Sequence, residues 1–311
     1  MAKNKVTVVG AGNVGATAAQ RIVEKQLADV VLIDIVEGLP QGKALDMMQS
    51  ASTEGFDTEI IGTNDYADTA GSDVVVITAG IARKPGMSRD DLLSTNAKIV
   101  GSVTKQVVAN SPNAIIVVVS NPLDVMTFLS WKESGLDHKR VVGMAGVLDS
   151  SRYAMFISEA LNCSIKDVRA MVLGGHGDTM VPVPEYSTVN GVSINQLLPA
   201  DKIEEINTRT QHGGAEIVKH LKTGSAYYAP SASAVAMVEA ILLDSDRILP
   251  VCAYLQGEYG LSDVYCGVPA ALGKDGISRV IEIDLSDASK KALHSSADQV
   301  RELSEKVLTL V

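Results

Sequence analysis

The sequence predicts an α/β fold: a doubly wound parallel sheet that is followed by a second, α+β domain. Three observations support this prediction. Apolar, β-branched runs typical of strands buried on both faces alternate with helical patterns in the first half of the chain. A glycine-rich turn joins the first strand to the first helix. After Val141 and Val142 the alternation ends, so we place the domain boundary between residues 1–145 and residues 146–311.

The strands and helices of residues 1–145 follow from their apolar periodicity. Continuous apolar runs predict strands at residues 6–9, 30–33, 74–78 and 115–120. Helical patterns come after them, at residues 14–25, 43–49, 91–108 and 125–133. Strands that alternate with helices connect through right-handed crossovers, which produce a parallel sheet with helices on both faces.

In residues 146–311 the predicted helices are longer and the strands pair locally. Helical patterns cover residues 149–161, 202–221, 232–244 and 287–310, with a kink in the second of them at Gly213 and Gly214. Asn190-Gly191 between extended segments predicts a hairpin turn. Further strands are predicted at residues 264–268 and 280–283. No Pro/Ser-rich linker marks the boundary, so we expect two tightly packed lobes.

The composition excludes several functional classes. With 46% hydrophobic and 21% charged residues among 311, the chain is globular rather than disordered. A net charge of −10 argues against a nucleic-acid or anionic-membrane partner. We see neither a signal peptide nor an apolar run long enough to span a bilayer. Three cysteines without CxxC spacing indicate reduced thiols, and we therefore expect a cytoplasmic protein.

A nucleotide fingerprint follows the first predicted strand. It is the G-x-G-x-x-G sequence formed by Gly10, Ala11, Gly12, Asn13, Val14 and Gly15. Its glycines allow a tight turn, close approach of a pyrophosphate and helix–strand packing, and the helix N-terminus favours phosphate. Asp34 ends the second strand, 19 residues after Gly15, where its carboxylate can accept both ribose hydroxyls and would repel a 2′-phosphate. This pattern favours NAD over NADP; FAD would use a similar fingerprint.

Several motifs in the correct order resemble the lactate/malate dehydrogenase family over essentially the whole chain. They are residues 10–15, Asp34, and residues 82–89, 120–122, 148–152 and 174–178. The resemblance implies a Rossmann domain that binds NAD and a second domain that binds the substrate and carries the catalytic histidine.

The resemblance implies that His176 is the catalytic acid/base and that Asp149 is its hydrogen-bond partner. Alcohol oxidation removes a hydride and a proton, and a group that titrates near neutrality suits the proton transfer. Asp149 would fix the tautomer of His176 and stabilise its imidazolium. The alternative interpretations are a histidine in a structural turn and an aspartate that caps a helix.

Three arginines are implied to hold the substrate. Arg152 would bind the carboxylate next to the reacting carbon through two hydrogen bonds, although a simple ion pair with Asp149 is an alternative. Arg89 would polarise the carbonyl oxygen when a loop closes over the site. Arg83 would bind a second carboxylate, which favours malate and oxaloacetate over lactate and pyruvate. The alternative is that Arg83 and Arg89 are ordinary solvent-exposed arginines of a loop.

The remaining implied residues lie around the substrate and the nicotinamide. Asn121 would contact the substrate through its amide, and with it the Val119-Ser120 backbone would line the nicotinamide side. Asn96 matches a family position near the cofactor, but an ordinary amide on a helix surface explains it equally well. Ala226 would be the small residue beside the substrate.

The sequence therefore predicts the NAD-dependent, reversible oxidation of (S)-malate to oxaloacetate, a reaction of the tricarboxylic acid cycle. A dehydrogenase for lactate or another 2-hydroxy acid is the nearest alternative, and a non-catalytic nucleotide-binding protein is another. We expect no metal, because the other histidines lie in unremarkable surroundings: His138, His212, His220 and His294. The resemblance implies a homo-oligomer, with a tetramer favoured and a dimer possible. We have no independent argument for the role of Asp178.

Overall fold

The computed structural model describes residues 4–81 and 88–310, with only the backbone of Arg89. Six strands form the parallel part of the main sheet: β1 (Lys5–Val9), β2 (Asp29–Ile33), β3 (Ile60–Thr63), β4 (Val74–Ile77), β5 (Ile115–Val118) and β6 (Val141–Gly143). Their spatial order is β3-β2-β1-β4-β5-β6, and each neighbouring pair is parallel. This is the doubly wound order that the sequence predicts.

Four helices connect these strands: α1 (Asn13–Glu24), α2 (Leu39–Glu54), α3 (Arg89–Asn110) and α4 (Leu123–Ser134). The buried residues of α1 are apolar or small, so this helix can pack closely on the sheet. Helix α2 is much longer than the predicted 43–49, because its low amphipathic contrast leaves few apolar positions to mark its ends.

The sequence patterns missed strand β3. This strand is a short sheet edge whose Ile61 is 48% exposed. Gly62 weakens the apolar run but is required there, since a Cβ at this position would lie 2.1 Å from the Pro40 carbonyl oxygen. An edge strand of this kind lacks the continuous apolar signal of a strand that is buried on both faces.

Three antiparallel strands extend the sheet beyond β6. Among the described residues, β12 (Arg247–Gln256), β13 (Ser262–Gly273) and β14 (Gly276–Val280) complete a nine-stranded sheet. Strand β12 was not predicted, β13 is longer than the predicted 264–268, and β14 lies before the predicted 280–283. Cys252 of β12 pairs with Gly143 of β6, so one sheet crosses the predicted domain boundary.

Among the described residues, small strands and six helices build the rest of the second half. The strands are β7 (Val168–Arg169), β8 (Val172–Leu173), β9 (Val181–Pro182), β10 (Thr188–Val189) and β11 (Val192–Ser193). The helices are α5 (Gly146–Leu161), α6 (Ile194–Leu197), α7 (Ala200–Gln211), α8 (Gly213–Leu221), α9 (Tyr228–Leu242) and the C-terminal α10 (Asp287–Val307). The predicted hairpin is confirmed, because β10 and β11 pair through a turn in which Asn190 and Gly191 both have positive φ.

The largest hydrophobic cluster spans both halves of the chain. Val8 and Leu32 from the parallel strands belong to the same buried cluster as Val238 of α9 and Val251 of β12. The two lobes are therefore tightly packed, as the missing linker predicts. No helix within the described ranges combines the length and the apolar character that crossing a membrane requires.

Candidate active site

The glycine turn between β1 and α1 has the geometry that its sequence predicts. Gly10 has a φ of +107°, which disfavours any side chain. A Cβ on Gly15 would lie 1.9 Å from the Gly10 carbonyl oxygen, so α1 can pack against the turn only through glycine. A Cβ on Gly12 would meet nothing within 4 Å, and this open space lies over the N-terminus of α1. The turn therefore fits a pyrophosphate against free backbone N–H groups.

Asp34 lies at the end of β2, beside this turn. Its Oδ2 accepts a hydrogen bond from the Ala11 N–H at 2.7 Å, and its Oδ1 accepts from the Val36 N–H at 3.0 Å. A carboxylate has about four acceptor positions, so two remain for ribose hydroxyls. Lys43 of α2, which the sequence reasoning did not single out, donates to the Ala11 carbonyl at 2.7 Å and holds the turn from the other side.

His176 and Asp149 form a direct pair. The distance between His176 Nδ1 and Asp149 Oδ2 is 2.9 Å, and Asp149 is 2% exposed. Helix α5 begins at Gly146 with Ala145 as its N-cap, so Asp149 is not a helix cap, and that alternative is wrong. With Nδ1 taken by Asp149, proton exchange with a molecule in the adjacent cavity would use Nε2 of His176.

Opposing effects act on the pKa of His176. Burial lowers this pKa because it disfavours the charged imidazolium. The charge and hydrogen bond of Asp149 raise it, the charge of Asp124 adds to this, and the charge of Arg152 opposes it. The net pKa of His176 lies above its usual 6.5, so the imidazolium persists toward neutral pH.

Arg152 lies one helical turn from Asp149 on α5. Its Nη1 is 3.4 Å from Asp149 Oδ1, which is a long contact for an ion pair. Within the described part of the chain, its buried Nε has no hydrogen-bond partner. A buried, unsatisfied donor on a guanidinium is costly and fits a carboxylate ligand. The predicted ion pair with Asp149 is thus present but leaves donors of Arg152 for an anion.

The break between α7 and α8 makes room for Arg152. A continuous helix over residues 202–221, kinked at Gly213 and Gly214, was predicted; the structure ends α7 at Gln211 and begins α8 at Gly213. A Cβ on Gly213 would lie 3.2 Å from Arg152 Cδ. The glycine therefore lets the start of α8 pack directly on this arginine.

A cavity of about 350 Å³ brings the predicted residues together. Its lining includes the side chains of His176, Arg152, Asn121, Asp178 and Ala226, and Val14 from the start of α1. His212 also lines this cavity, which corrects the expectation that it lies in unremarkable surroundings. Among the described residues, no group of three or more His, Cys, Asp or Glu side chains could hold a metal ion.

Asn96 of α3 is buried and organises two neighbouring loops. It is 1% exposed, so the interpretation as a helix-surface amide is wrong. Its Nδ2 donates to the Asn121 carbonyl at 2.6 Å, and its Oδ1 accepts from the Ile81 N–H at 2.8 Å. Asn96 thus fixes the main chain of Asn121 by a hydrogen bond. The expected contact of Asn96 with the cofactor stays a prediction.

The segment before Asn121 connects β5 to β4. Ser120 Oγ donates to the Ala79 carbonyl at 2.6 Å, and the Val119 N–H donates to the Ile77 carbonyl at 2.9 Å. Val119 and Asn121 line the cavity, as the nicotinamide-side prediction requires. Arg83 lies outside the described residues, as does the side chain of Arg89.

These features define a class of enzyme, the NAD-dependent dehydrogenases: a doubly wound nucleotide-binding half opens onto a cavity that contains a carboxylate-bound histidine and an arginine whose side chain is 12% exposed. Residues 4–143 match the family model for the lactate/malate dehydrogenase NAD binding domain, and residues 146–311 match the model for its alpha/beta C-terminal domain. The chain belongs to the lactate/malate dehydrogenase family. The predictions of fold class, family and NAD are confirmed.

Individual relatives cover nearly the whole chain. A malate dehydrogenase from Chloroherpeton thalassium is 59% identical over 308 residues, which are 99% of each protein. The crystal structure of Cryptosporidium parvum malate dehydrogenase superposes with a TM-score of 0.96 at 43% identity, covering 99% of this chain and 100% of that one. The lactate dehydrogenase of the same organism, complexed with lactic acid and NAD, gives 0.95 at 43% identity, covering 99% and 98%. The backbone alone does not separate the two substrates.

Proposed function

We propose that this chain is an NAD-dependent malate dehydrogenase that interconverts (S)-malate and oxaloacetate. The observation that carries the proposal is the His176–Asp149 pair beside Arg152, whose buried Nε has no hydrogen-bond partner among the described residues. His176 and Arg152 line one cavity. The relative at 59% identity carries the name malate dehydrogenase, which supports the choice of substrate.

His176 moves the proton. In malate oxidation its neutral imidazole accepts the hydroxyl proton at Nε2, and the buried charge of Asp149 stabilises the imidazolium that results. In oxaloacetate reduction the imidazolium donates the same proton. Because the pKa of His176 is raised, its acid form is available near neutral pH for the reduction.

Arginines position the substrate in this proposal. Arg152 binds the carboxylate next to the reacting carbon, and this ion pair satisfies its buried Nε. Arg83 binds the second carboxylate and Arg89 stabilises negative charge on the carbonyl oxygen. Asn121, which lines the same cavity, orients the substrate.

The residues around the glycine turn fit NAD. Gly10, Gly12 and Gly15 shape the turn for the pyrophosphate, and Asp34 has acceptor positions for the adenosine ribose. The chemistry that bound NAD supplies is the acceptance and return of a hydride. Val14 of the glycine turn and Val119 after β5 both line the cavity, so the turn adjoins the cavity.

The decisive experiment is a comparison of oxaloacetate and pyruvate as substrates for NADH oxidation. We expect the wild-type chain to prefer oxaloacetate by several orders of magnitude, since pyruvate leaves a guanidinium in the closed site without its counter-charge. Arg83→Gln should lower kcat/KM for oxaloacetate far more than for pyruvate.

Equal losses on both substrates would refute the assignment of Arg83. A wild-type preference for pyruvate would instead establish a lactate dehydrogenase, the activity of the Cryptosporidium parvum neighbour. An inactive chain that still binds NADH would support a non-catalytic role.

The same proposal includes a cytoplasmic homo-oligomer that serves the tricarboxylic acid cycle, with a tetramer favoured and a dimer possible. The three cysteines are free thiols, which supports a reducing compartment. The apolar helix α9 contributes to the core of this chain, because its Val235 and Val238 are buried. Sedimentation velocity measures the assembly directly.

A further inference from the structure

A second buried carboxylate, that of Asp124, binds the main chain of His176. Asp124 is the second residue of α4 and is 4% exposed. Its Oδ2 accepts a hydrogen bond from the backbone N–H of His176 at 2.8 Å, across 52 residues of sequence. Asp149 thus binds the ring of His176, whereas Asp124 binds its main chain.

This hydrogen bond joins the two halves of the active site. Helix α4 begins immediately after Asn121-Pro122, so Asp124 is fixed to the strand end that carries Asn121. His176 belongs to the loop after β8, in residues 146–311. Asp124 therefore reaches from the nucleotide-binding half to the residue that moves the proton.

Other contacts hold the same loop from within its own half. Ser296 Oγ of α10 accepts from the Gly175 N–H at 2.8 Å, and Gly174 pairs with Gly267 of β13 through two backbone hydrogen bonds. These bonds attach the loop to elements of the second half. The Asp124 bond, by contrast, attaches it directly to the helix that begins after Asn121-Pro122.

The burial of Asp124 is costly for the fold. Burial raises its pKa, and the His176 N–H, the charge of His176 and the thiol of Cys252 lower it in part. Among the described residues its Oδ1 has no hydrogen-bond partner. A buried, incompletely satisfied carboxylate is weak as a stabilising element, so its place beside His176 requires another reason.

We propose that Asp124 is a positioning residue for the reaction: its carboxylate fixes the main chain of His176 against the strand end that carries Asn121. The proposal rests on the proposed function. Hydride and proton leave adjacent atoms of one substrate, so the groups that receive them must keep a fixed distance. A misplacement of about 1 Å can cost about 100-fold in rate.

Two variants separate this role from a structural one. Asp124→Asn keeps an oxygen that can accept from the His176 N–H, whereas Asp124→Ala removes it. We expect Asp124→Ala to lower kcat about 10- to 100-fold, with the Kd for NADH unchanged in a fluorescence titration. Asp124→Asn should keep kcat within a few-fold of wild type at its own pH optimum.

The pH profile gives a second measurement. Among the described residues, the charges that act on the pKa of His176 come from Asp149 and Arg152 of α5 and from Asp124 of α4. Asp178 and His212 are titratable groups that line the same cavity. Because Asp124→Asn removes a negative charge, it should lower the pKa of His176 and move the alkaline loss of oxaloacetate reduction to lower pH. If Asp124→Asn only disturbed packing, the alkaline loss of oxaloacetate reduction would stay at the wild-type pH.

Ser134→Ala is the matched control. Ser134 is buried at the other end of α4, where its hydroxyl donates to the Trp131 carbonyl. This variant should lower the melting temperature without changing kcat or the pH profile.

The proposal is overturned if Asp124→Ala keeps wild-type kcat, or if Asp124→Asn loses as much kcat as Asp124→Ala and shows no shift of the alkaline limb. If Asp124→Ala does not fold, the kcat and pH profile of Asp124→Asn decide. A wild-type chain that prefers pyruvate would refute the proposed substrate only, and the same variants would then be compared with pyruvate.

Discussion

At the scale of single residues, the proton affinity of His176 results from a balance between burial and charge. Burial alone would keep the imidazole neutral, and the paired carboxylate of Asp149 reverses this effect. The family resemblance implied the pairing of His176 with Asp149, and the spacing of three residues indicated that Asp149 and Arg152 share one helix face. Their distances to His176, however, depend on where the loop after β8 meets α5.

Asp149→Asn tests this balance. The substitution removes the charge that raises the pKa of His176, so this pKa should fall. Oxaloacetate reduction needs the imidazolium, which exists below the pKa, and its alkaline limb should move to lower pH. Malate oxidation needs the neutral ring and should extend to lower pH. We expect kcat to fall about 10- to 100-fold, since the ring also loses its orienting partner.

The control for this variant is a second Asp–His pair at the surface. Asp137 Oδ1 lies 3.2 Å from His138 Nδ1, and Asp137 is exposed. Asp137→Asn should change neither the kcat nor the pH profile. If Asp149→Asn leaves the pH limbs of wild type in place, the charge of Asp149 does not control the active-site proton.

At the scale of elements, the strongest local patterns gave the correct structures and the weaker ones did not. The buried strands β1, β2, β4 and β5 and the helix α1 lie within a few residues of their predictions. Their sequences are apolar because both faces of the sheet are covered. Strand β12 was missed, since Pro250 lies within its apolar run and a proline argues against a strand inside a sheet.

The break between α7 and α8 affects the position of Arg152 on a third helix, α5. A pair of glycines predicts a kink, and the structure adds that this kink faces Arg152. We expect Gly213→Ala to raise the KM for oxaloacetate about tenfold, which is about 1.4 kcal/mol, because its Cβ would displace the arginine stem. The melting temperature should not fall, since alanine favours a helix more than glycine does.

Gly101→Ala in the middle of α3 is the control for this substitution. Its Cβ would lie 3.8 Å from Glu133 Cγ, an ordinary contact far from the cavity. Steady-state kinetics should show an unchanged KM. An unchanged KM for Gly213→Ala as well would show that α8 adapts without moving Arg152.

At the scale of the whole molecule, one sheet and one core connect the two family domains. Strand β12 continues the sheet beyond β6, and the largest hydrophobic cluster contains residues of both halves. Neither half can therefore bury its apolar surface fully without the other. The active-site cavity lies where these halves meet, lined by Val119 of the first and His176 of the second.

This continuity predicts that the chain unfolds in a single cooperative transition. NADH should shift the whole transition to higher temperature, although its site is in the first half, because ligand binding stabilises every part that unfolds together. At about 100 times Kd the gain is about 2.7 kcal/mol. Differential scanning calorimetry with and without NADH measures this, and two transitions of which only one moves would contradict it.

The sequence by itself determined what depends on neighbours along the chain. The glycine turn with Asp34 and the alternation of strands and helices are visible in local patterns, and short motifs that resemble a known family singled out His176, Asp149 and Arg152. The tertiary structure alone decided which distant groups meet: Asp124 with the main chain of His176, Asn96 with Asn121, and β12 with β6. Periodicity reports only whether a residue faces the core, whereas these contacts depend on how separately formed elements pack around that core.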